Sequence, residues 1–107
     1  MSGAIFENWC ISEIKKNKCN DGENGGLFYF RDHLGNEIDL IIDKEAGALA
    51  VEIKSATKPD KKHIEGLKYW KKYQPSANAI LLYQGKNTLN SDLNITYLSW
   101  EELDSIR

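Results

Sequence analysis

With 107 residues, 41% of them hydrophobic and 28% charged, the chain has enough apolar mass for one domain with a single core and no need of covalent staples. A formal net charge of −2 excludes a protein that coats nucleic acid indiscriminately, and no apolar run reaches membrane or signal-peptide length. The two cysteines, Cys10 and Cys19, lack Cys-x-x-Cys spacing and the His partners of a zinc site, so they read as reduced thiols and a cytoplasmic location is expected.

Residues 3–18 read as an amphipathic helix. Phe6, Trp9, Cys10 and Ile14 recur at helical spacing, Ser2 is a candidate N-cap, and lysines fill the last turn, where they favour the dipole. Glu7 shares the stripe of Cys10, Ile11 and Ile14, which puts a carboxylate at the margin of the buried face. It needs a partner there: a backbone cap, a lysine, or a site. A flexible loop is expected over 19–26, an aromatic strand over 27–31, and a turn over 32–36 in which His33 is a solvated turn residue.

The next stretch, 35–55, organises the rest. Read as two strands, it carries one apolar face made of Ile38, Leu40 and Ile42, then Leu49, Val51 and Ile53. The other face carries Glu37, Asp39 and Ile41, then Ala50, Glu52 and Lys54. With Ile42 opposite Leu49, the turn is Lys44-Glu45-Ala46-Gly47, Asp39 faces Glu52, and Glu37 faces Lys54. A slip of one residue would expose the apolar set; a slip of two stays open. Carboxylates about 5 Å apart repel by roughly 1 kcal/mol in water and about 3 kcal/mol at an effective dielectric near 20. A divalent cation reverses that sign, and Lys54 on the same face could steady a bound water or a phosphate oxygen. The competing reading of Glu-x-Lys is the wet face of an ordinary strand.

A second helix is expected over 60–74, with Ile64, Leu67 and Trp70 inward, Lys61, Lys62, Lys68, Lys71 and Lys72 mostly outward, and Pro75 ending it. A buried strand over 77–83, a polar loop over 84–92, a strand over 93–98 and a short helix capped by Ser99 complete the chain. The order αβββαβ plus a C-terminal strand and short helix implies an α/β domain with a central mixed sheet and helices on both faces. Charge is uneven. Residues 1–53 hold 5 basic and 10 acidic side chains, whereas residues 54–73 hold 7 lysines against Asp60 and Glu65.

An acid in the first helix, an acid in the second strand and Glu-x-Lys in the third resemble the PD-(D/E)xK nuclease superfamily, which has the restriction-endonuclease-like α/β/α sandwich. Gly-Ala-Ile-Phe-Glu-Asn at 3–8, Tyr-Phe-Arg-Asp at 29–32, Gly-Asn-Glu-Ile-Asp-Leu-Ile-Ile at 35–42 and Val-Glu-Ile-Lys-Ser at 51–55 are most similar to the uncharacterised C-terminal domain of a bacterial and archaeal AAA+-type ATPase family. That resemblance covers about residues 3–84. It implies Asp39 and Glu52 as ligands of Mg²⁺ or Mn²⁺, the Ile53 carbonyl as a further ligand, Lys54 as the group positioning the attacking water, and Glu7 completing the site. Lys58, Lys61, Lys62 and Lys68 would hold a DNA backbone without reading its sequence. It further implies an ATPase module as partner, with residues 1–107 an excised C-terminal domain. Three departures stand out: Ile38 replaces the proline of the motif name, the Gln-x-x-x-Tyr element of RecB-type exonucleases is missing from the second helix, and the sequence holds no Walker lysine of an ATPase module. The expected activity is metal-dependent hydrolysis of DNA; the alternative is a catalytically silent docking or regulatory module of the ATPase.

Overall fold

The sequence Asn-Ala-Ile-Leu-Leu-Tyr at 78–83 is apolar on both faces, which suits a central strand covered from both sides. It takes that place in the computed structural model, which describes residues 3–20, 26–31, 35, 37–43, 47–90 and 94–106. Six strands form one mixed sheet: β1 (Leu27–Arg31), β2 (Glu37–Ile42), β3 (Leu49–Lys54), β4 (Asn78–Tyr83), β5 (Leu89–Asn90) and β6 (Ile95–Ser99). Their spatial order is β1-β2-β3-β4-β6-β5. Neighbours β1, β2 and β3 pair antiparallel, β3, β4 and β6 run parallel, and β5 returns antiparallel to β6. The parallel step from β3 to β4 needs a crossover, and α2 (Glu65–Tyr73) supplies it.

Each face of the sheet has its own core. On one face, Phe6, Cys10 and Ile14 of α1 (Gly3–Asn20) pack on Leu40, Ile42, Leu49, Val51, Ile53, Leu82 and Leu98, with Leu103 and Ile106 from the C-terminal 3₁₀ helix Trp100–Ser105. On the other, Ile64, Leu67 and Trp70 pack on Ile38, Ala50, Ala79, Leu81 and Ile95. The result is a three-layer α/β arrangement, as the element order implied.

The hairpin register is the expected one: Ile42 pairs with Leu49, Ile41 with Ala50 and Leu40 with Val51. The expected single apolar face is not found, however, because Ile38 lies in the α2-side core while Leu40 and Ile42 lie in the α1-side core. A β-bulge is the cause. Phe28 pairs with Ile41 and Phe30 with Ile38, so Tyr29 alone stands against Asp39 and Leu40. One extra residue on β2 reverses the facing of everything before it.

Other differences are local. The first helix runs on to Asn20, and the second opens as a separate 3₁₀ turn, Lys61–Ile64, before α2 begins. Asp60 explains that opening, since its side chain accepts from the Lys62 N–H (3.1 Å) while His63 Nδ1 accepts from the Asp60 N–H (3.2 Å). Trp9 sits at the rim, 38% exposed, not in the core. The loop expected over 84–92 contains the two-residue strand β5. Ser99 caps the C-terminal helix as expected, its Oγ accepting from the Glu101 N–H at 3.3 Å, but that helix is 3₁₀ with a kink at Glu102. The expected Ser2 cap, the side chain of Cys19, residues 21–25, His33 and its turn, the Lys44-Glu45-Ala46 turn, and residues 91–93 lie outside the described residues.

Candidate functional site

Past Leu40 and Val51 the ladder between β2 and β3 stops, and the bulge turns Asp39 into the gap. There Asp39 Oδ2 accepts a hydrogen bond from the Ile53 N–H at 2.8 Å, taking the place a β2 carbonyl would have held. Expected ladder partners Asp39 and Glu52, and Glu37 and Lys54, are therefore not paired residues; the bulge has replaced backbone pairing with a side chain. In an extended strand the N–H and C=O of one residue point to the same neighbour. The Ile53 carbonyl is thus directed at the same gap as its N–H.

Glu52 reaches the same place from β3. It is 7% exposed, the one charged side chain counted as buried among the described residues. Burial first, then hydrogen bonding and repulsion from Asp39, push its carboxyl up to about 9, with Lys54 only partly opposing. A carboxyl raised in this way favours keeping its proton beside Asp39. The carboxylate contact expected from the sequence is thus present, although its route is not the ladder.

Lys54, half-buried at the end of β3, acts electrostatically on both Glu52 and Glu7. Glu7 arrives from α1, whose first turn is close enough to the chain after β3 that a β-carbon on Gly3 would contact Ser55 Oγ at 3.4 Å. Partial burial raises the Glu7 pKa, Asp39 raises it further, and Lys54 lowers it. Glu7 therefore senses the charges of Asp39 and Lys54 from α1. Among the described residues no three His, Cys, Asp or Glu side chains form a metal-holding group, and the carboxylates expected as metal ligands number two, Asp39 and Glu52.

The donor set that remains is two carboxylates and one backbone carbonyl. Its chemistry fits a hard divalent cation such as Mg²⁺, which takes oxygen ligands and keeps several waters. Replacing one proton by a cation would also relieve the electrostatic conflict at Glu52.

Gly66 was not foreseen as part of this site. A β-carbon there would collide with the Glu37 carbonyl oxygen and stand 3.5 Å from Glu52 Oε2, so only glycine lets α2 sit this low over the pair. Its signal in the sequence is a glycine interrupting an otherwise well-patterned helix, at a cost of about 1 kcal/mol relative to alanine. Tyr29, opposite the bulge and 57% exposed, was also missed; its hydroxyl interacts with Glu37.

The lysines divide. Lys58, Lys61 and Lys62 are exposed on the segment that leaves β3 at the site end. Lys68 is half-buried and reaches Glu65 at 3.7 Å, and Lys71 donates to the Ala77 carbonyl at 2.9 Å, near the start of β4. The first three share an end of the sheet with Asp39 and Glu52; Lys71 belongs to the opposite end.

No curated protein and no solved structure matches the chain. The pattern of one family, described as a domain of unknown function (DUF4143), matches residues 2–103 and so includes Glu7, Asp39, Glu52, Lys54 and Gly66. The match spans nearly the whole sequence, and the chain belongs to the DUF4143 family.

Proposed function

We propose that this domain is a metal-dependent nuclease of the restriction-endonuclease-like, PD-(D/E)xK class, hydrolysing phosphodiester bonds of DNA. The observation that carries the reading is the meeting of Asp39 and Glu52 beside the Ile53 backbone, at an end of the sheet where the bulge has freed the ladder. The element order, an antiparallel β1-β2-β3 meander followed by a helical crossover to parallel β4, supports the same class.

On this reading Asp39, Glu52 and the Ile53 carbonyl hold Mg²⁺ or Mn²⁺. A cation so held supplies a more acidic water and neutralises charge on a phosphate. Lys54 positions the attacking water or a phosphate oxygen with its ammonium group. Glu7, which feels the charges of Asp39 and Lys54, completes the site from α1. Lys58, Lys61 and Lys62 grip the DNA backbone without sequence readout, with Lys68 at the margin of that surface.

A second reading is favoured by one observation, the formal net charge of −2 on a chain of 107 residues, which leaves little surface dedicated to nucleic acid. In it, the domain is a silent nuclease-fold module that docks on or regulates an AAA+-type ATPase to which it is attached. Thermal melting in EDTA, then with millimolar Mn²⁺ or Mg²⁺, separates the two for wild type and Asp39→Ala. The nuclease reading expects a metal-dependent rise in wild type alone, accompanied by cleavage of single-stranded, duplex or branched DNA. No shift in either protein, checked by calorimetry, defeats it and leaves the docking reading.

A further inference from the structure

The outer surface of α1 meets the C-terminal 3₁₀ helix in a groove of about 340 Å³, lined by Trp9, Glu13, Trp100, Glu101, Leu103 and Asp104. Its floor is aromatic. Trp9 and Trp100 lie 6.0 Å apart between ring centroids with their planes at 69°, and wholly buried Phe6 props Trp100 from below at 6.4 Å and 72°. The two indoles, packed edge to face, form an aromatic corner, and an indole face carries negative π density. Trp9 stays 38% exposed at this corner.

The walls are acidic, and among the described residues none of those lining the groove is basic. Glu13 follows Trp9 by one helical turn, and Glu101 and Asp104 stand across the groove. Asn17 Nδ2 donates to Asp104 Oδ1 at 2.9 Å, tying the two elements together beside it. The three carboxylates are too dispersed to hold a metal ion among the described residues. Dispersed carboxylates around an aromatic corner instead match a large, delocalised organic cation, which stacks on one indole while its N–H groups reach separate acids.

The surface continues past the corner. Ile5, 62% exposed, lies one turn before Trp9 on the same side of α1 and gives a flat apolar shelf beside the groove. A free small cation has no use for that shelf, whereas a polypeptide with an apolar residue next to its basic one covers both.

We propose that the Trp9–Trp100 corner is a docking site for a basic side chain, arginine in preference to lysine, carried by a partner polypeptide whose neighbouring apolar residue rests on Ile5. This site lies on the outer side of α1 and is independent of the chemistry assigned to Asp39 and Glu52.

Three tryptophans make the test specific, because Trp70 is buried in the α2-side core and serves as an internal control. The probe is an acetylated, amidated Leu-Ala-Ala-Arg-Ala peptide, compared with the same peptide carrying neutral citrulline in place of arginine. The readout is the three indole N–H resonances. The arginine peptide should move those of Trp9 and Trp100 but not Trp70, with the citrulline peptide weaker by about tenfold. Trp9→Leu, which keeps the apolar contact and removes the π-face, and the double change Glu13→Gln with Glu101→Gln should each weaken binding by about five- to tenfold while leaving the Trp70 resonance in place. Equal binding of the citrulline peptide, or equal movement of Trp70, overturns the proposal. So does a concentration-dependent self-association abolished by Trp9→Leu, which would assign the groove to a second copy of the chain.

Discussion

Replacing Glu52 with glutamine removes a titrating group while keeping its size and its capacity to hydrogen-bond Asp39. In the wild type, burial and Asp39 push the Glu52 carboxyl from its ordinary 4.5 up to about 9. Between those values the folded protein binds a proton that the unfolded chain releases. Stability linked to that proton is complete below about pH 4.5 and is lost as pH rises toward about 9. One proton corresponds to about 1.4 kcal/mol per pH unit, so the wild type should lose about 2–3 kcal/mol between about pH 6 and about pH 8 that Glu52→Gln keeps. Glu7 titrates in the same direction but is present in both proteins, so its contribution largely cancels in the difference.

Urea unfolding in EDTA at a series of pH values measures that difference directly. The stability curves of wild type and Glu52→Gln should diverge with rising pH, the variant becoming the more stable. Curves that stay parallel within about 0.5 kcal/mol would show that Glu52 is not held against Asp39 in a dry site, and the donor set would lose its basis. Saturating Mn²⁺ should flatten the wild-type profile, because a cation takes the place of the proton. It should leave the variant's profile nearly unchanged.

Gly66→Ala tests the close approach of α2. At an open helix position alanine would stabilise by about 1 kcal/mol. Here its methyl group meets the Glu37 carbonyl oxygen, so a net loss of about 1–3 kcal/mol is expected, with weaker metal-dependent stabilisation; a raised Tm would refute the contact. Cys10 is fully buried, and burial reinforced by Glu7 pushes its thiol up to about 12. In a Cys19→Ser background, Cys10 should therefore ignore an aromatic disulfide reagent at about pH 8 until denaturant is added. Rapid labelling of the native protein would contradict that burial.

The hairpin was readable because two-residue periodicity and a turn glycine, Gly47 with φ of +118°, leave few registers open; Ile42 does pair with Leu49. The bulge at Asp39–Leu40 was not readable. Ile38, Leu40 and Ile42 keep a flawless alternation, and with cores on both faces either facing of Ile38 is buried, so the pattern carries no penalty that would reveal the reversal. Asp39 and Glu52 stood out by residue type and spacing, yet their approach depends on a side chain replacing a ladder partner, an event of backbone geometry. Trp9 illustrates a different limit. Its spacing on α1 matches Phe6 and Cys10, but its neighbour Trp100 arrives from the far end of the chain.

Three features that cost stability converge on one end of the sheet: a bulge that interrupts pairing, a buried carboxyl opposed by another, and a glycine inside a helix. Packing alone would remove each of them. A glutamine or leucine at 52 would seat without a charge, a regular β2 would extend the ladder, and a helix seated higher over the sheet would take alanine at 66 in place of glycine. The opposite end, where β4 and β6 begin, has a hollow of about 440 Å³ lined by such residues as Lys71, Asn78, Asn90 and Thr96, with no buried carboxylate among the described residues. Sequences are locally consistent except where function demands otherwise, so conflicts that share one location are better evidence for a site than any one of them alone. On that argument the candidate site is defined by Asp39, Glu52, Ile53, Lys54 and Gly66 together, and Glu52→Gln, which removes the buried charge without a clash, should make the protein more stable at neutral pH and less able to bind metal.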